Sequence, residues 1–254
     1  MSESPWTFGT ESARTGGSDA VTLIEGPTFA LSGRSGDIHT GGAAGLYLLD
    51  TRVLSRWTLT VDGHPVDALS VTHDGPFGAT FVGRVNLDGG ADASIVVMQR
   101  RYVGRGLRED LEIRNHGSAR TEVPVVLTAE ADFRHVFDVK AGHFVEIEPS
   151  ITRATPNGIA IEPGDTTRSP VDRCEVATFP APDVTGANGS AGSLEWRVDL
   201  GAGETWSCCM EVSVAAGDEH VEPSYRCGAE VHHAIPVARL RNWRHSASRI
   251  STDD

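Results

Sequence analysis

The sequence is poor in cysteine, in aromatic residues and in positive charge. Its 254 residues include four cysteines and 6% aromatics, and 22 Lys and Arg stand against 35 Asp and Glu, which gives a formal net charge of −13. Such an acidic chain repels phosphate backbones and anionic lipid surfaces. We therefore expect neither a nucleic acid nor a membrane among its partners.

Long hydrophobic runs are missing as well. No stretch approaches the ~20 consecutive apolar residues that a membrane span needs. The first residues, MSESPWTFGTESARTGGSDA, have neither the basic start nor the apolar segment of a secretory signal. The simplest prediction is a cytoplasmic protein whose residues 1–20, rich in Ser, Gly and Thr, form a flexible leader.

The four cysteines do not have the spacing of a metal site. No C-x-x-C pair occurs, and the adjacent Cys208 and Cys209 would point to opposite faces of a strand, so they could not hold one ion together. For a cytoplasmic chain we predict that all four, including Cys174 and Cys227, are reduced and mostly buried thiols.

What the sequence does contain is a period-two alternation of apolar and polar residues from Val21 onward, interrupted by many of its 28 Gly and 13 Pro. Asp62-Gly63 predicts a type I′ hairpin turn, because both central residues of that turn need positive φ. Gly104-Arg105-Gly106 predicts a second hairpin. Together with the absence of a βαβ pattern, these signals predict an all-β fold, an antiparallel β-sandwich over residues 21–226.

Three further segments complete this prediction. HFVEIE at 143–148 is expected to be a strand, and residues 180–192 a long flexible loop. The strands LEWRVDL and TWSCCMEVSV, joined by the short GAGE, are expected to be antiparallel neighbours.

The tail, residues 227–254, is the single helical candidate. Its apolar residues are loosely spaced for one helix face, and Pro236 should kink or restart the helix. The sequence ends soon after an amphipathic segment that has nothing obvious to pack against. We interpret this tail as a short helical linker toward a further domain.

Motifs for metals and cofactors are not evident. His232 and His233 are adjacent, outside any H-E-x-x-H spacing, and we interpret them as surface histidines and predict no metal site. The Gly-rich SGDIHTGGAAG at 35–45 precedes a strand, so it lacks the helix N-terminus used by phosphate cradles, and no cofactor is predicted.

Charges within apolar strands are the main candidates for a site. In GLYLLDTRVLSRW, Asp50 and Arg52 are two residues apart and should share one face of a strand. We interpret them as a buried ionic network with Arg101 and Glu109 of the facing hairpin, or else as a surface that meets a ligand or another domain. The carboxylates that could form a hydrolytic pair, or simply cap turns and bind arginines, are Asp37, Asp50, Glu109, Asp132 and Asp138.

Three stretches carry a family resemblance. These are GDIHTGGAAGLYLLDTRVLSRWTLTVDGHPVDALS (36–70), RRYVGRGLREDLEIRNHG (100–117) and ADFRHVFDVK (131–140). In order and spacing they resemble the N-terminal domain of bacterial glycogen-debranching-type enzymes, the amylo-α-1,6-glucosidase-like glycoside hydrolases. The similarity covers about residues 21–253.

The resemblance implies a super-sandwich of the galactose-mutarotase-like type. It further implies that a C-terminal (α/α)₆ catalytic domain, in cis or in trans, supplies the acid and the base, so that this chain holds no catalytic residue. The sandwich would border that domain, and an α-glucan oligosaccharide is a further candidate partner. The residues proposed for this interface or substrate rim are Asp37, Asp50, Arg52, Arg101, Glu109 and Asp138.

Two alternatives remain open, a free-standing carbohydrate-binding module and an assembly subunit for a separately encoded catalytic chain. Sugar binding needs exposed aromatic rings, but Trp57, Trp196 and Trp206 lie in strand patterns and are expected in the core. Trp6 and Trp243 lie in the leader and the tail. The lack of an aromatic platform favours assembly over sugar binding.

Overall fold

The computed structural model describes residues 20–87, 94–142, 148–165 and 169–247. Within these ranges the chain forms three antiparallel sheets. The leader, including Trp6, and most of the predicted strand at 143–148 lie outside the described residues. The predicted domain boundaries at 20/21 and 226/227 therefore stay predictions.

A four-stranded sheet lies at the start of the chain and has its strands in sequence order. They are β1 (Val21–Glu25), β2 (Thr28–Ser32), β3 (Gly45–Leu48) and β4 (Thr51–Leu54). All residues of β3 and β4 are buried, so this hairpin is covered on both faces.

Two larger sheets form the body of the fold. The five-stranded sheet has the order β15-β16-β11-β5-β6, with strands β5 (Arg56–Val61), β6 (His64–Pro65), β11 (Thr121–Glu130), β15 (Val184–Asn188) and β16 (Ala191–Leu200). The nine-stranded sheet has the order β12-β13-β14-β17-β10-β9-β8-β7, with β18 also paired to β17. Its strands are β7 (Asp67–His73), β8 (Gly78–Val85), β9 (Ile95–Val103), β10 (Leu107–Asn115), β12 (Ile151–Thr155), β13 (Gly158–Glu162), β14 (Arg173–Phe179), β17 (Thr205–Ala216) and β18 (Glu219–Val221).

Alternating burial explains why these strands form layers. In β11 the residues Val123, Val125, Leu127 and Ala129 are all buried, while their sequence neighbours are partly exposed. Leu127 lies opposite Leu59 of β5 and Leu194 of β16, so three strands contribute one row of apolar side chains. Burial of such rows is the main stabilising contribution in a fold of this kind.

Both predicted hairpin turns are present. Asp62 and Gly63 have φ values of 52° and 75°, as a type I′ turn requires. The strand after this turn, β6, is only two residues long, and β7 then joins the nine-stranded sheet. Residues 104–106 connect β9 to β10, which pair over their whole length.

Two predictions for the second half of the chain are wrong. The strands on either side of GAGE, β16 and β17, lie in different sheets, because β16 pairs with β11 and β17 pairs with β10. A short connection allows two strands to pair but does not force them to. Residues 180–192 are also not simply a loop, since β15 forms there and pairs with β16 across a turn at Gly189, whose φ is 60°.

Two helices accompany the strands within the described residues. The first, α1 (Val136–Ala141), is too short to show a helical period in the sequence and was not expected. The predicted tail helix consists of a 3₁₀ turn (Val231–His233) and α2 (Ile235–Ser246), and Pro236 starts the new helix as predicted. In the part of the chain that the structure describes, neither helix has the length and apolar character of a membrane span.

The tail helix has a packing partner, contrary to the expectation from sequence. Val237 and Leu240 of α2 pack against a small cluster formed by Phe77, Tyr102 and Tyr225. Tyr102 and Tyr225 stack with their ring centroids 5.3 Å apart. The helix is therefore attached to the sandwich and not simply an extension from it.

The prediction of four reduced cysteines is also wrong. Cys209 of β17 and Cys227 of the tail form a disulfide across 18 residues of sequence. Cys208 and Cys209 do face opposite sides, so Cys208 points into the core while Cys209 faces the tail. Cys174 and Cys208 are free and buried, and burial raises the pKa of the Cys208 thiol to about 12.

We expect the double substitution Cys209→Ser, Cys227→Ser to lower the free energy of unfolding by about 3 kcal/mol, since a disulfide that closes a loop of this length restricts the unfolded chain by that amount. Urea denaturation of oxidised protein measures the change. A dithiol reductant should lower the stability of the wild type and leave the double variant unchanged. If the oxidised wild type and the oxidised double variant have equal free energies of unfolding, the predicted contribution of the disulfide is contradicted.

Candidate functional site

The most buried ion pair lies between the two strands of the β9–β10 hairpin. Arg101 is directly opposite Glu109 in the register, and its Nε donates to Glu109 Oε2 at 2.6 Å. The other carboxylate oxygen accepts a 2.9 Å hydrogen bond from Trp57 Nε1. The Arg101 and Glu109 side chains are 0% and 2% exposed, and the Arg101 guanidinium lies 5.3 Å from the centre of the Phe81 ring. These two charges therefore neutralise each other in the interior and cannot reach a ligand.

Asp37 is likewise an interior group. Its Oδ1 accepts from the backbone N–H of Leu59 at 3.1 Å, and its Oδ2 accepts from the Ser35 hydroxyl at 3.0 Å. Burial raises the pKa of this carboxyl, while these two hydrogen bonds partly oppose the rise. Asp37 therefore fixes the chain before β3 against β5.

Arg52 of β4 is held by several acceptors. Its Nε donates to Asp132 Oδ1 at 3.0 Å, its Nη2 pairs with Asp132 Oδ2, and its Nη1 donates to the Gly42 carbonyl at 2.6 Å. Burial by itself would lower the pKa of Arg52, but the hydrogen bond and charge of Asp132 outweigh it and raise that pKa. A Cβ at residue 45 would lie 2.6 Å from Arg52 Cδ, so only Gly45 leaves space for this side chain.

The predicted Asp50–Arg52 pair does not form. Leu49 and Asp50 have φ values of 51° and 57°, so they make a tight turn between β3 and β4 and do not continue the strand. The turn directs the Asp50 side chain to solvent and Arg52 inward. Positive φ at two residues other than glycine is a strained arrangement that needs support from its surroundings.

That support comes from the segment that follows β11. The Arg52 N–H donates to the Arg134 carbonyl at 2.8 Å, and the Arg52 carbonyl accepts from Phe133 N–H at 3.1 Å. The Val136 N–H donates to the Asp50 carbonyl at 2.7 Å. The β3–β4 turn and β4 are therefore joined by three backbone hydrogen bonds to residues 133–136, where the chain enters α1.

Beside this junction is a cleft of about 120 Å³, which we call the acidic cleft. Its acidic lining residues are Asp132, Asp138, Glu148 and Asp165. His135 also lines it and caps α1, because its Nδ1 accepts from Phe137 N–H at 3.3 Å. Next to it the Phe137 ring is 68% exposed. Carboxylates beside an exposed aromatic ring can bind a polyhydroxylated ligand or a partner surface.

The six predicted rim residues divide into two groups. Asp37, Arg52, Arg101 and Glu109 are buried, whereas Asp50 and Asp138 are exposed beside the acidic cleft. Arg101 and Glu109 pair with each other, as the hairpin register requires, and do not join Arg52. No pattern in the sequence singles out Glu148 or Asp165, because both lie in irregular segments between strands and only the fold brings them to the cleft.

The tryptophans within the described residues follow the predicted pattern. Trp57 and Trp196 are 0% and 2% exposed, and Trp206 packs against the core with its ring centroid 5.8 Å from that of Trp196. Trp243 on α2 is 65% exposed. Among the described residues, no tryptophan lines the acidic cleft, and the exposed ring near it is that of Phe137, whose centroid lies 5.3 Å from that of the lining residue His135.

The sequence matches, over residues 23–211, a family model described as the N-terminal domain of some glycogen debranching enzymes. No protein of curated function matches it.

Two solved structures have a similar fold. A candidate aldose 1-epimerase from Escherichia coli K12 has 10% sequence identity and a TM-score of 0.55, with 78% of this chain and 99% of that chain covered. A candidate kojibiose phosphorylase from the human microbiome has 11% identity and a TM-score of 0.53, with 78% of this chain and 30% of that chain covered. At such identities the likeness concerns the fold alone, and it confirms the predicted antiparallel, galactose-mutarotase-like sandwich.

We expect Arg52→Ala to lower the free energy of unfolding by about 3 kcal/mol, since it leaves Asp132 without its main partner and opens space beside Gly45. Denaturant titration gives this value. The control is Asp50→Asn, which keeps a residue that tolerates positive φ on the exposed turn and should change stability by less than about 0.5 kcal/mol. If both variants lose a similar amount of unfolding free energy, the Arg52–Asp132 pair is not the source of the stability measured here.

Proposed function

Because the chain belongs to the family of N-terminal domains of some glycogen debranching enzymes, we propose that it is the non-catalytic β-sandwich domain of an α-glucan-acting glycoside hydrolase. We propose that this hydrolase is a cytoplasmic enzyme of the amylo-α-1,6-glucosidase type. The catalytic acid and base then belong to an (α/α)₆ domain, in the same chain or in a separate one.

The observation that carries this proposal is that the three stretches with the family resemblance meet in space. Residues 36–70 contact residues 100–117 through the Trp57–Glu109 hydrogen bond. They contact residues 131–140 through the Arg52–Asp132 ion pair. The first contact is interior, and the second joins the buried Arg52 side chain to a carboxylate that lines the acidic cleft. The family motifs therefore contribute both to the interior of the sandwich and to the wall of the cleft.

The acidic cleft and the turn beside it form the surface that we assign to the catalytic domain. Leu49 and Phe137 are exposed there by 41% and 68%, and Asp50 and Asp138 add acceptors around them. Exposed apolar side chains within a ring of polar groups are typical of a surface that binds another protein domain. The strained β3–β4 turn is held rigidly enough to serve as part of such a rim.

We expect the chain to co-purify with the helical catalytic domain when the two are expressed as separate polypeptides, and Phe137→Asp to reduce the recovered complex at least tenfold. A buried interface tolerates an unpaired charge poorly. The matched control is Leu69→Asp on β7, where a leucine that is 53% exposed lies away from the acidic cleft.

The same preparation tests the non-catalytic part of the proposal. The purified chain alone should release no glucose from limit dextrin, whereas the complex should do so. Turnover by the isolated chain, or equal loss of the complex in both variants, would overturn the assignment.

Carbohydrate binding in the acidic cleft is the second candidate function. Phe137 offers an exposed ring for a sugar face, and Asp138 and Glu148 offer acceptors for hydroxyl groups. Calorimetry with maltooligosaccharides should then show exothermic binding that Phe137→Ala abolishes and Trp243→Ala leaves unchanged. If the wild type releases no heat, sugar binding by this domain is rejected, while docking to a catalytic domain is not affected.

A further inference from the structure

The segment between the disulfide and the tail helix brings together three candidate metal ligands within four residues, although their spacing matches no standard zinc motif. We infer that Glu230, His232 and His233 bind one divalent transition-metal ion of the zinc type. In the part of the chain that the structure describes, these are the residues whose His, Cys or carboxylate donor atoms converge as a group of three. The inference does not depend on the proposed function, since it involves neither a glucan nor a catalytic domain.

Two of the separations between donor atoms are within about 0.4 Å of the value that a tetrahedral ion requires. Bonds of about 2.0–2.1 Å at tetrahedral angles place two ligand atoms about 3.3 Å apart. His232 Nε2 lies 3.0 Å and His233 Nδ1 lies 3.7 Å from the same carboxylate oxygen, Glu230 Oε2. All three donors lie within 4.8 Å of one another. Small side-chain rotations would be enough to place an ion among them.

The backbone explains why neighbouring histidines can both reach one carboxylate. On a strand their side chains would point to opposite faces, but here they lie in a 3₁₀ turn. The His233 N–H donates to the Glu230 carbonyl at 3.1 Å, and this closes the turn and brings His233 back over Glu230. The two imidazole rings then meet edge to face with centroids 4.2 Å apart.

The start of the turn is attached firmly to the sandwich. Cys227 is bonded to Cys209, and Arg108 Nη1 donates to the carbonyls of Arg226 and Ala229 at 2.6 and 2.7 Å. Glu230 is therefore presented from an anchored backbone, although its side chain is exposed. An anchored ligand reduces the entropy that must be lost when an ion binds.

The donor set selects the class of ion. Two imidazoles and one carboxylate suit Zn²⁺, Co²⁺, Ni²⁺ or Cu²⁺, whereas Mg²⁺ and Ca²⁺ prefer a shell made of oxygen atoms. Three protein ligands leave a fourth position for water. The ligand side chains are 64–74% exposed, so the ion has direct access. A bound ion would fix the turn that precedes α2.

The test uses the full chain without a polyhistidine tag, titrated with ZnCl₂ by calorimetry in a buffer that does not bind metals. We expect one ion per chain, and at least a tenfold increase in Kd for the double variant His232→Ala, His233→Ala. The matched control is His64→Ala, His73→Ala, which removes two other exposed histidines and should keep the wild-type Kd. Glu230→Gln should also weaken binding at least tenfold.

Titration with CoCl₂ gives a second readout. The wild type should develop the intense visible absorption of a four-coordinate site, and the His232, His233 variant should not. Circular dichroism will establish that the variants are folded, as expected for substitutions of exposed side chains. The inference is overturned if the wild type binds no ion, if the His232, His233 variant binds as tightly as the wild type, or if the control loses affinity to the same extent.

Discussion

The ion pair between the buried Arg52 and the partly exposed Asp132 is the interaction on which the candidate surface depends. A guanidinium that is 3% exposed must have nearly all of its hydrogen bonds supplied by the protein, and here Asp132 and the carbonyls of Gly42 and Ala44 supply them. Because Asp132 follows β11, its bond to Arg52 places the β3–β4 hairpin against the segment after β11. The strained turn at Leu49, the start of α1 and the acidic cleft all lie next to that contact.

Charged residues in this protein have two different roles, and burial separates them. Glu109 accepts from Arg101 and from Trp57 inside the sandwich, so its charge is neutralised where no partner could reach it. Asp50 and Asp138 remain exposed beside Phe137. In this protein a carboxylate within an apolar strand pattern therefore forms a buried ion pair or hydrogen bond. The carboxylates that are available for binding lie in turns and irregular segments.

The fold and the family membership constrain function to different degrees. Solved proteins with the same sandwich are described as acting on different sugars, and a shared architecture at about one-tenth identity does not assign any of these activities to this chain. The family match does more, because it identifies the chain as a domain type from glycogen debranching enzymes. Where the sandwich contacts its partners is then a question about particular surfaces, and among the described residues the acidic cleft is the surface that we propose for this contact.

By itself the sequence determined the local features of this protein. Period-two alternation predicted the strands and their inward faces, Asp62-Gly63 predicted its turn through the φ values it needs, and Pro236 marked the start of a helix. Only the tertiary structure decided which distant groups meet. Arg52 finds its partner 80 residues away, Cys209 finds Cys227, and β16 and β17 separate into different sheets. Local patterns depend on neighbouring residues and their backbone preferences, whereas these pairings depend on how whole sheets pack, which no short stretch of sequence encodes.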